Sequence, residues 1–74
     1  MKKINELVDL CIELAGSKPE DLHYELDIRT ASDSLVARKT LNNEVVDIKV
    51  SSICNEGAEF LIDWIHAEEA KEAQ

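Results

Sequence analysis

Apolar and polar residues alternate strictly along one stretch of the chain, which is typical of a strand with one buried face. In residues 23–30, Tyr24, Leu26 and Ile28 alternate with charged side chains. A period of two over this length predicts an antiparallel sheet with one face on the core and the other in solvent. The residues that follow, 31–34, have the composition of a turn.

Two consecutive asparagines mark a second turn. Asn42 and Asn43 stand between two alternating runs, and asparagine tolerates the positive φ that a two-residue hairpin turn requires. An uninterrupted register from this turn gives one face of apolar pairs and one polar face. The pairs predicted on the apolar side are Lys39 with Val46, Ala37 with Ile48, and Leu35 with Val50. The three strands therefore form a meander, with residues 23–30 and 45–53 at its edges.

A helix is predicted on each side of this meander. Residues 4–15 carry apolar side chains at helical spacing, and Gly16 and Pro19 then end the helix. The second helix begins after Cys54 with Asn55 as its N-cap, and its apolar stripe ends at Ile65. Residues 68–74 favour helix by composition but offer no apolar face, so we expect a tail that frays or projects into solvent.

The element order predicts an α+β fold, helix–three-stranded antiparallel meander–helix, as one domain over residues 1–74. Both helices should cover the same sheet face, because each has one apolar stripe and the sheet has one apolar face. The residues predicted to form the core are Ile4, Leu7, Val8, Cys11, Leu14, Tyr24, Leu26, Ile28, Leu35, Ala37, Val46, Ile48, Val50, Leu61, Trp64 and Ile65.

The negative charge of the chain is concentrated near its end. The formal net charge is −8, and residues 55–74 hold six acids against the single base Lys71. If the two helices lie side by side, their outer carboxylates form one acidic strip, spaced about 5–6 Å apart along each helix, as phosphates are along a nucleic-acid strand. The strip predicted to bind a partner comprises Glu6, Asp9, Glu13, Glu56, Glu59, Asp63, Glu68 and Glu69.

These charges lead to two functional hypotheses. The first is a small acidic protein-binding module whose partner is a basic, nucleic-acid-handling protein, for example a phage-type inhibitor whose helix carboxylates mimic a nucleic-acid backbone. The second is a homodimeric structural or accessory protein that associates through the outer sheet face or an edge strand. The residues of this alternative interface are Arg29, Val36, Arg38, Val45, Asp47 and Lys49. Ordinary solubility charge remains open as an explanation of the acidity.

The sequence contains no recognisable motif for catalysis, metal binding or membrane insertion. His23 and His66 are far apart in sequence, and structural zinc ligands usually come in closely spaced pairs. We therefore expect no enzyme activity, no cofactor and no metal. Cys11 and Cys54 are interpreted as buried thiols in a reduced cytoplasm. No apolar run approaches the length of a membrane span, so no membrane association is expected.

In element order the chain resembles the double-stranded-RNA-binding domain. That family holds phosphates with lysines at the start of its last helix, and residues 55–59 here read Asn-Glu-Gly-Ala-Glu. The resemblance therefore implies the fold and not the activity, and no direct nucleic-acid binding is expected. In size, element order and acidity the chain is also similar to small phage-encoded inhibitors of host nucleases.

Overall fold

The computed structural model describes residues 2–15 and 21–72, and within these ranges it has two helices and three strands. The elements are α1 Lys2–Glu13, β1 His23–Arg29, β2 Ser34–Leu41, β3 Glu44–Ser52 and α2 Asn55–Glu72. The predicted helix stop at Gly16 and Pro19 lies outside the described residues.

The strands form an antiparallel sheet in the order β1-β2-β3, and both helices pack on one of its faces. Helix α1 packs against β1, α2 packs against β2 and β3, and the two helices contact each other. The predicted α+β architecture is confirmed. The buried core combines both helix stripes with the inner faces of β1 and β2, through Leu7, Cys11, Tyr24, Leu35, Ala37, Ala58, Leu61 and Ile65.

The start of α2 differs from the prediction, because Cys54 and not Asn55 caps this helix. The backbone carbonyl of Cys54 accepts the Ala58 N–H at 2.9 Å, and its Sγ accepts the Gly57 N–H at 3.2 Å. Asn55 caps the other helix instead: its Oδ1 accepts the backbone N–H of Lys3 at 3.3 Å. The first turn of an α-helix has N–H groups without intrahelical acceptors, so this bond joins the starts of the two helices.

Both predicted turns are present. Asn42 and Asn43 have φ values of 54° and 65°, as a two-residue hairpin turn requires, and they pair Leu41 with Glu44 as predicted. Between β1 and β2, the Asp33 N–H bonds to the Thr30 carbonyl, and Asp33 has a φ of 54°.

The register predicted beyond the hairpin turn is wrong, because β3 contains a bulge. Thr40 pairs with Val45 as predicted, but Lys39 then pairs with Asp47, so Val46 has no opposite residue in β2. One extra residue in one strand shifts all later pairs by one and turns every later side chain to the other face.

The bulge exchanges the two faces of β3. Val46, Ile48 and Val50, all predicted in the core, are 52%, 50% and 59% exposed. Asp47, Lys49 and Ser51 stand opposite Lys39, Ala37 and Leu35 on the helix side of the sheet. Ile28 of β1 was also predicted in the core and is 46% exposed, whereas Val36 was predicted on the outer face and is buried there.

The close approach of α2 to the end of β3 favours this inverted face. A Cβ on Gly57 would lie only 2.7 Å from Ser51 Oγ and would collide with the Ser52 carbonyl oxygen. The helix can therefore begin directly against the end of the strand only because Gly57 has no side chain and the facing Ser51 is small. With Val50 turned outward, a serine and not a branched side chain meets the helix.

The end of α2 also differs from the prediction. The helix continues through Glu72, and Glu68 is 8% exposed and not free in solvent. Lys39 Nζ, on the inner face of β2, lies 3.2 Å from Glu72 Oε1 and 4.0 Å from Glu68 Oε1. Lys71 Nζ lies 3.0 Å from Glu68 Oε2. These four side chains hold the last turns of α2 against the sheet; residues 73–74 lie outside the described ranges.

Candidate protein-binding surfaces

One lysine at the start of α1 is paired with an acid of its own helix and influenced by acids of α2. Lys3 Nζ lies 3.2 Å from Glu6 Oε2. The hydrogen bond and charge of Glu6 raise the pKa of Lys3, and the negative charges of Glu59 and Asp63 on α2 raise it further. Acids of α1 and α2 therefore share one face of the molecule, as the hypothesis of an acidic strip requires.

A groove between the two helices continues this face. It encloses about 300 Å³ and is lined by Glu6, Asp9 and Glu13 of α1 together with Leu10, Ile62 and His66. A second concavity of about 390 Å³ adjoins it along Leu10 and His66 and extends to Leu14, Glu69 and Ala70. We call the two together the acidic groove. Its carboxylates stand beside an apolar floor, so it offers both charge and apolar surface.

Two of the predicted strip residues lie elsewhere. Glu68 is buried in the ion cluster with Lys39 and Lys71, so it presents no free carboxylate. Glu56 is exposed in the first turn of α2 and lines neither part of the groove. The remaining six predicted acids lie in the groove or beside Lys3. Leu10, Leu14 and Ile62, which form the floor, were not predicted as site residues.

The outer face of the sheet, away from the helices, has a polar half on β1. Arg38 Nη2 donates to Asp27 Oδ2 at 3.2 Å, and Arg29 lies 3.4 Å from the same oxygen. The hydrogen bond from Arg38 holds the pKa of Asp27 below its ordinary value. Beside this cluster, Thr40 Oγ1 donates to Glu25 Oε1 at 3.2 Å. Charged and polar groups on this half are thus paired with one another.

The other half of the same face is apolar and belongs to the edge strand β3. Four of its side chains are about half exposed, and we call them the apolar β3 face: Val45, Val46, Ile48 and Val50. Val36 of β2 is buried beside Val50 and continues this surface inward. These contiguous exposed apolar side chains make the apolar β3 face a candidate interaction surface.

This arrangement changes the predicted sheet interface. Arg29, Val36, Arg38 and Val45 lie on the outer face as predicted, whereas Asp47 and Lys49 lie on the helix side because of the bulge. Ile48 and Val50, predicted in the core, replace them on the outer face. The alternating pattern of β3 marks two distinct faces, but without the bulge it does not tell which face is outward.

A third surface feature is an apolar groove of about 290 Å³ between α1 and β1. Cys11 and Ile12 line it from the helix, and Tyr24 and Ile28 line it from the strand. Burial raises the pKa of the Cys11 thiol, and Cys11 and Cys54 are both free cysteines.

Tyr24 Oη is buried and has no hydrogen-bond partner among the described residues. Burial is the main cause that raises the pKa of this hydroxyl, and the nearby Glu69 adds to it.

Neither a cluster of three potential metal ligands nor a helix long and apolar enough to cross a membrane is present in residues 2–15 and 21–72. Comparisons of the chain with protein families, with curated proteins and with solved structures found no significant match.

Proposed function

We propose that this chain is a small, acidic, non-enzymatic module that binds a basic protein partner through the acidic groove. The observation that carries the proposal is the acidic groove itself, where Glu6, Asp9 and Glu13 of α1 and Glu69 of α2 line two adjoining concavities. Each helix carries only a few carboxylates. They form one strongly negative face only because the helices pack with these carboxylates on the same side.

The groove suits a partner that presents lysine or arginine side chains. Such side chains combine a long apolar stem with a charged head, and the stem packs on apolar surface while the head stays polar. Leu10 and Ile62 offer that apolar surface, and Glu6, Asp9 and Glu13 offer the opposite charge within the same groove. Basic side chains in this arrangement are common on proteins that grip nucleic acids, because they neutralise phosphates.

The sharper form of the proposal is an inhibitor, of the type encoded by phages, that occupies the nucleic-acid groove of such a partner. The net charge of −8 on 74 residues would speed the encounter by electrostatic steering. Binding should therefore weaken as salt rises, since screening shortens to about 4 Å near 0.5 M salt.

The test is an affinity capture from host-cell lysate with mass spectrometry of the retained proteins, at low salt and at about 0.5 M salt. The wild type is compared with the double variant Glu59→Lys/Asp63→Lys. The matched control is Asp33→Lys/Glu44→Lys, which changes the net charge equally but lies on the sheet, with Asp33 in the first turn and Glu44 at the start of β3. All four positions are exposed, so none of the changes should disturb the core.

A basic nucleic-acid-handling protein that is retained by the wild type and the control, but lost from the helix variant and at high salt, would support the proposal. Retention of the same proteins by the helix variant would contradict it. Equal loss of the partner from the helix variant and the control would contradict a specific site, because binding would then depend on net charge alone.

The apolar β3 face favours a second candidate function. In this alternative the chain is a structural or accessory protein that forms a homodimer through its sheet. A chain of 74 residues has a small core, and turning three large apolar side chains of β3 outward reduces that core further. Association that covers these side chains would recover the lost burial. Light scattering over a range of protein concentrations tests this candidate, and a monomer at every concentration would exclude it.

A further inference from the structure

We propose that a second copy of this chain pairs with β3 antiparallel, with the two-fold axis passing through Ile48. The two three-stranded sheets would then form one six-stranded sheet. This inference rests on the second candidate function and deepens it, because it names the strand, the register and the residues that recognise each other.

The first argument is the orientation of the backbone at Ile48. Its N–H bonds to Asp47 Oδ1 at 2.8 Å, so this amide is not engaged with β2. In an antiparallel ladder, alternate residues direct their N–H and C=O groups to opposite sides of the strand. Ile48 therefore presents its N–H and C=O to the open edge, where two copies of Ile48 can exchange a pair of hydrogen bonds.

The second argument is charge complementarity across the axis. Residues 46–50 read Val-Asp-Ile-Lys-Val, which is self-complementary about its centre. With the axis at Ile48, Asp47 of each copy stands opposite Lys49 of the other, and Val46 stands opposite Val50. Opposite charges that face each other directly across two strands are stabilising.

The neighbouring registers lack this complementarity. An axis at Asp47 would place two aspartates opposite each other, and an axis at Lys49 would place two lysines together; like charges in this position are destabilising. An axis at Val46 would pair Lys49 with Asn43, and an axis at Val50 would pair it with Ser51. Among these five registers, only the axis at Ile48 matches both charges with opposite ones.

The third argument is the apolar β3 face itself. Side chains of directly opposed residues point to the same side of a sheet, so Ile48, Val46 and Val50 of both copies would meet on the outer face. Each of these three side chains is at least half exposed in the single chain. The paired, polar β1 halves would remain in solvent at the two far edges. A homodimer that pairs the same strand of both copies has closed two-fold symmetry and leaves no β3 edge open.

Asp47 has two roles in this arrangement. In the single chain, its carboxylate covers the Ile48 N–H and so protects an exposed edge. In the dimer, the second copy takes over that N–H, and Asp47 becomes available for Lys49 of the second copy.

The test is a charge exchange measured by sedimentation or light scattering. Asp47→Lys alone gives two lysines per strand, and Lys49→Asp alone gives two aspartates, so each variant should dimerise at least about tenfold more weakly than the wild type. An equimolar mixture of the two variants pairs lysine with aspartate at all four positions. It should therefore form a heterodimer with an affinity near that of the wild type.

The mixture guards against a misleading loss of fold. Asp47 also stands opposite Lys39 within one chain, so its reversal alone can weaken the sheet, whereas Lys49 stands opposite Ala37. A misfolded variant would not be rescued by mixing. The helix variant Glu59→Lys/Asp63→Lys is a further control and should dimerise like the wild type.

Disulfide cross-linking of single cysteine substitutions tests the register of the two strands directly. Only the residue on a two-fold axis faces its own copy, so Ile48→Cys should form an intermolecular disulfide under mild oxidation. Val46→Cys and Val50→Cys should not do so alone, but should cross-link to each other when mixed. The wild type, treated in the same way, controls for Cys11 and Cys54.

The outcomes separate the two ideas. A wild type that stays monomeric overturns both the second candidate function and this inference. A dimer that persists in both charge variants, or that cross-links through residue 46 or 50 alone, keeps the homodimer and overturns the register. Rescue in the mixture together with cross-linking at residue 48 supports the inference.

Discussion

The two edge strands of the sheet have similar alternating sequences, but their apolar side chains point to opposite faces. In β1, Tyr24 points inward and is buried, and the charged residues point outward and pair with Arg38 and Thr40. In β3, the apolar residues Ile48 and Val50 point outward, and Asp47 and Lys49 lie on the helix side. The difference arises from a single extra residue, Val46.

The comparison shows what a period of two can and cannot establish. Alternation separates the side chains of a strand into two sets, but pairing with the neighbouring strand decides which set faces the core. β1 pairs with β2 without interruption, so its apolar set faces inward, where Tyr24 is buried and Ile28 at the end of the strand stays half exposed. β3 pairs through a bulge, and its apolar set is exposed on an edge.

The largest expected difference between the two edges concerns truncation of their large side chains. Tyr24→Ala removes a buried ring that contacts Trp64 edge-to-face with ring centroids 5.7 Å apart, so it should lower the free energy of unfolding by about 3–5 kcal/mol. Ile48→Ala removes a half-exposed side chain and should cost less than about 1 kcal/mol. Urea unfolding at low protein concentration measures both, because association contributes least there.

Tyr24→Phe is the matched control for the first variant. It removes only the buried hydroxyl, which has no partner among the described residues, and so should leave stability unchanged or slightly higher. A cost for Ile48→Ala as large as that for Tyr24→Ala would contradict the exposed position of β3.

A smaller effect is expected at Lys39, the residue of β2 that the bulge places opposite Asp47. Among the described residues, Lys39→Met leaves the buried Glu68 with only the exposed Lys71 as a partner, so we expect a loss of about 1–3 kcal/mol. Lys39→Met/Glu68→Gln also removes the buried negative charge of Glu68 and should recover much of the loss. Thermal or urea unfolding of the three proteins suffices. An unchanged stability of Lys39→Met would show that the ion cluster does not hold the end of α2.

Deletion of single residues tests the bulge itself. Without Val46, Val45 still opposes Thr40 and Asp47 still opposes Lys39, so the deletion should keep the fold and cost no more than about 1 kcal/mol. Deletion of Asp27 from the regular strand β1 is the control. It would exchange the faces of one end of that strand, and circular dichroism should show a protein that is largely unfolded. Unfolding by the Val46 deletion would mean that the bulge is required.

The smallest effect is expected in acid, on the polar half of the outer face. The pKa of Asp27 is lowered in the folded chain by Arg38, so the carboxylate contributes stability above its unfolded pKa. This contribution is lost as the pH falls through the lower, folded value. Between about pH 5 and pH 2.5, the urea midpoint of the wild type should therefore fall slightly more than that of Asp27→Asn.

Arg38→Gln is the control for this pH effect, because it removes the main cause of the lowered pKa. Its acid dependence should resemble that of Asp27→Asn, and combining the two changes should add little. A wild type and an Asp27→Asn variant with identical pH profiles would exclude a contribution from this pair.

Much of the fold could be predicted from local patterns. The spacing of apolar residues placed both helices and β1, and the two asparagines placed the hairpin turn, because each of these features depends on residues close in sequence. The acids of α1 and α2 could likewise be assigned to the polar sides of their helices. That Glu6, Asp9 and Glu13 of α1 line one groove with Glu69 of α2 depended on the packing of the helices.

The rest depended on contacts between distant parts of the chain. Asn55 has the chemistry of an N-cap, but the residue whose N–H it caps is Lys3, 52 positions away. Glu68 belongs to a tail with no apolar stripe, and it is buried because Lys39 of β2 reaches it.

The sequence by itself determined the elements, their order and the self-complementary charges of residues 46–50. Only the tertiary structure decided which face of β3 is outward, because the bulge at Val46 and the approach of α2 at Gly57 set that choice. Alternation has a period of two residues, so a shift of one residue exchanges core and surface without changing the pattern. For this reason Val46, Ile48 and Val50 could be predicted as part of the core and are found exposed on an open edge.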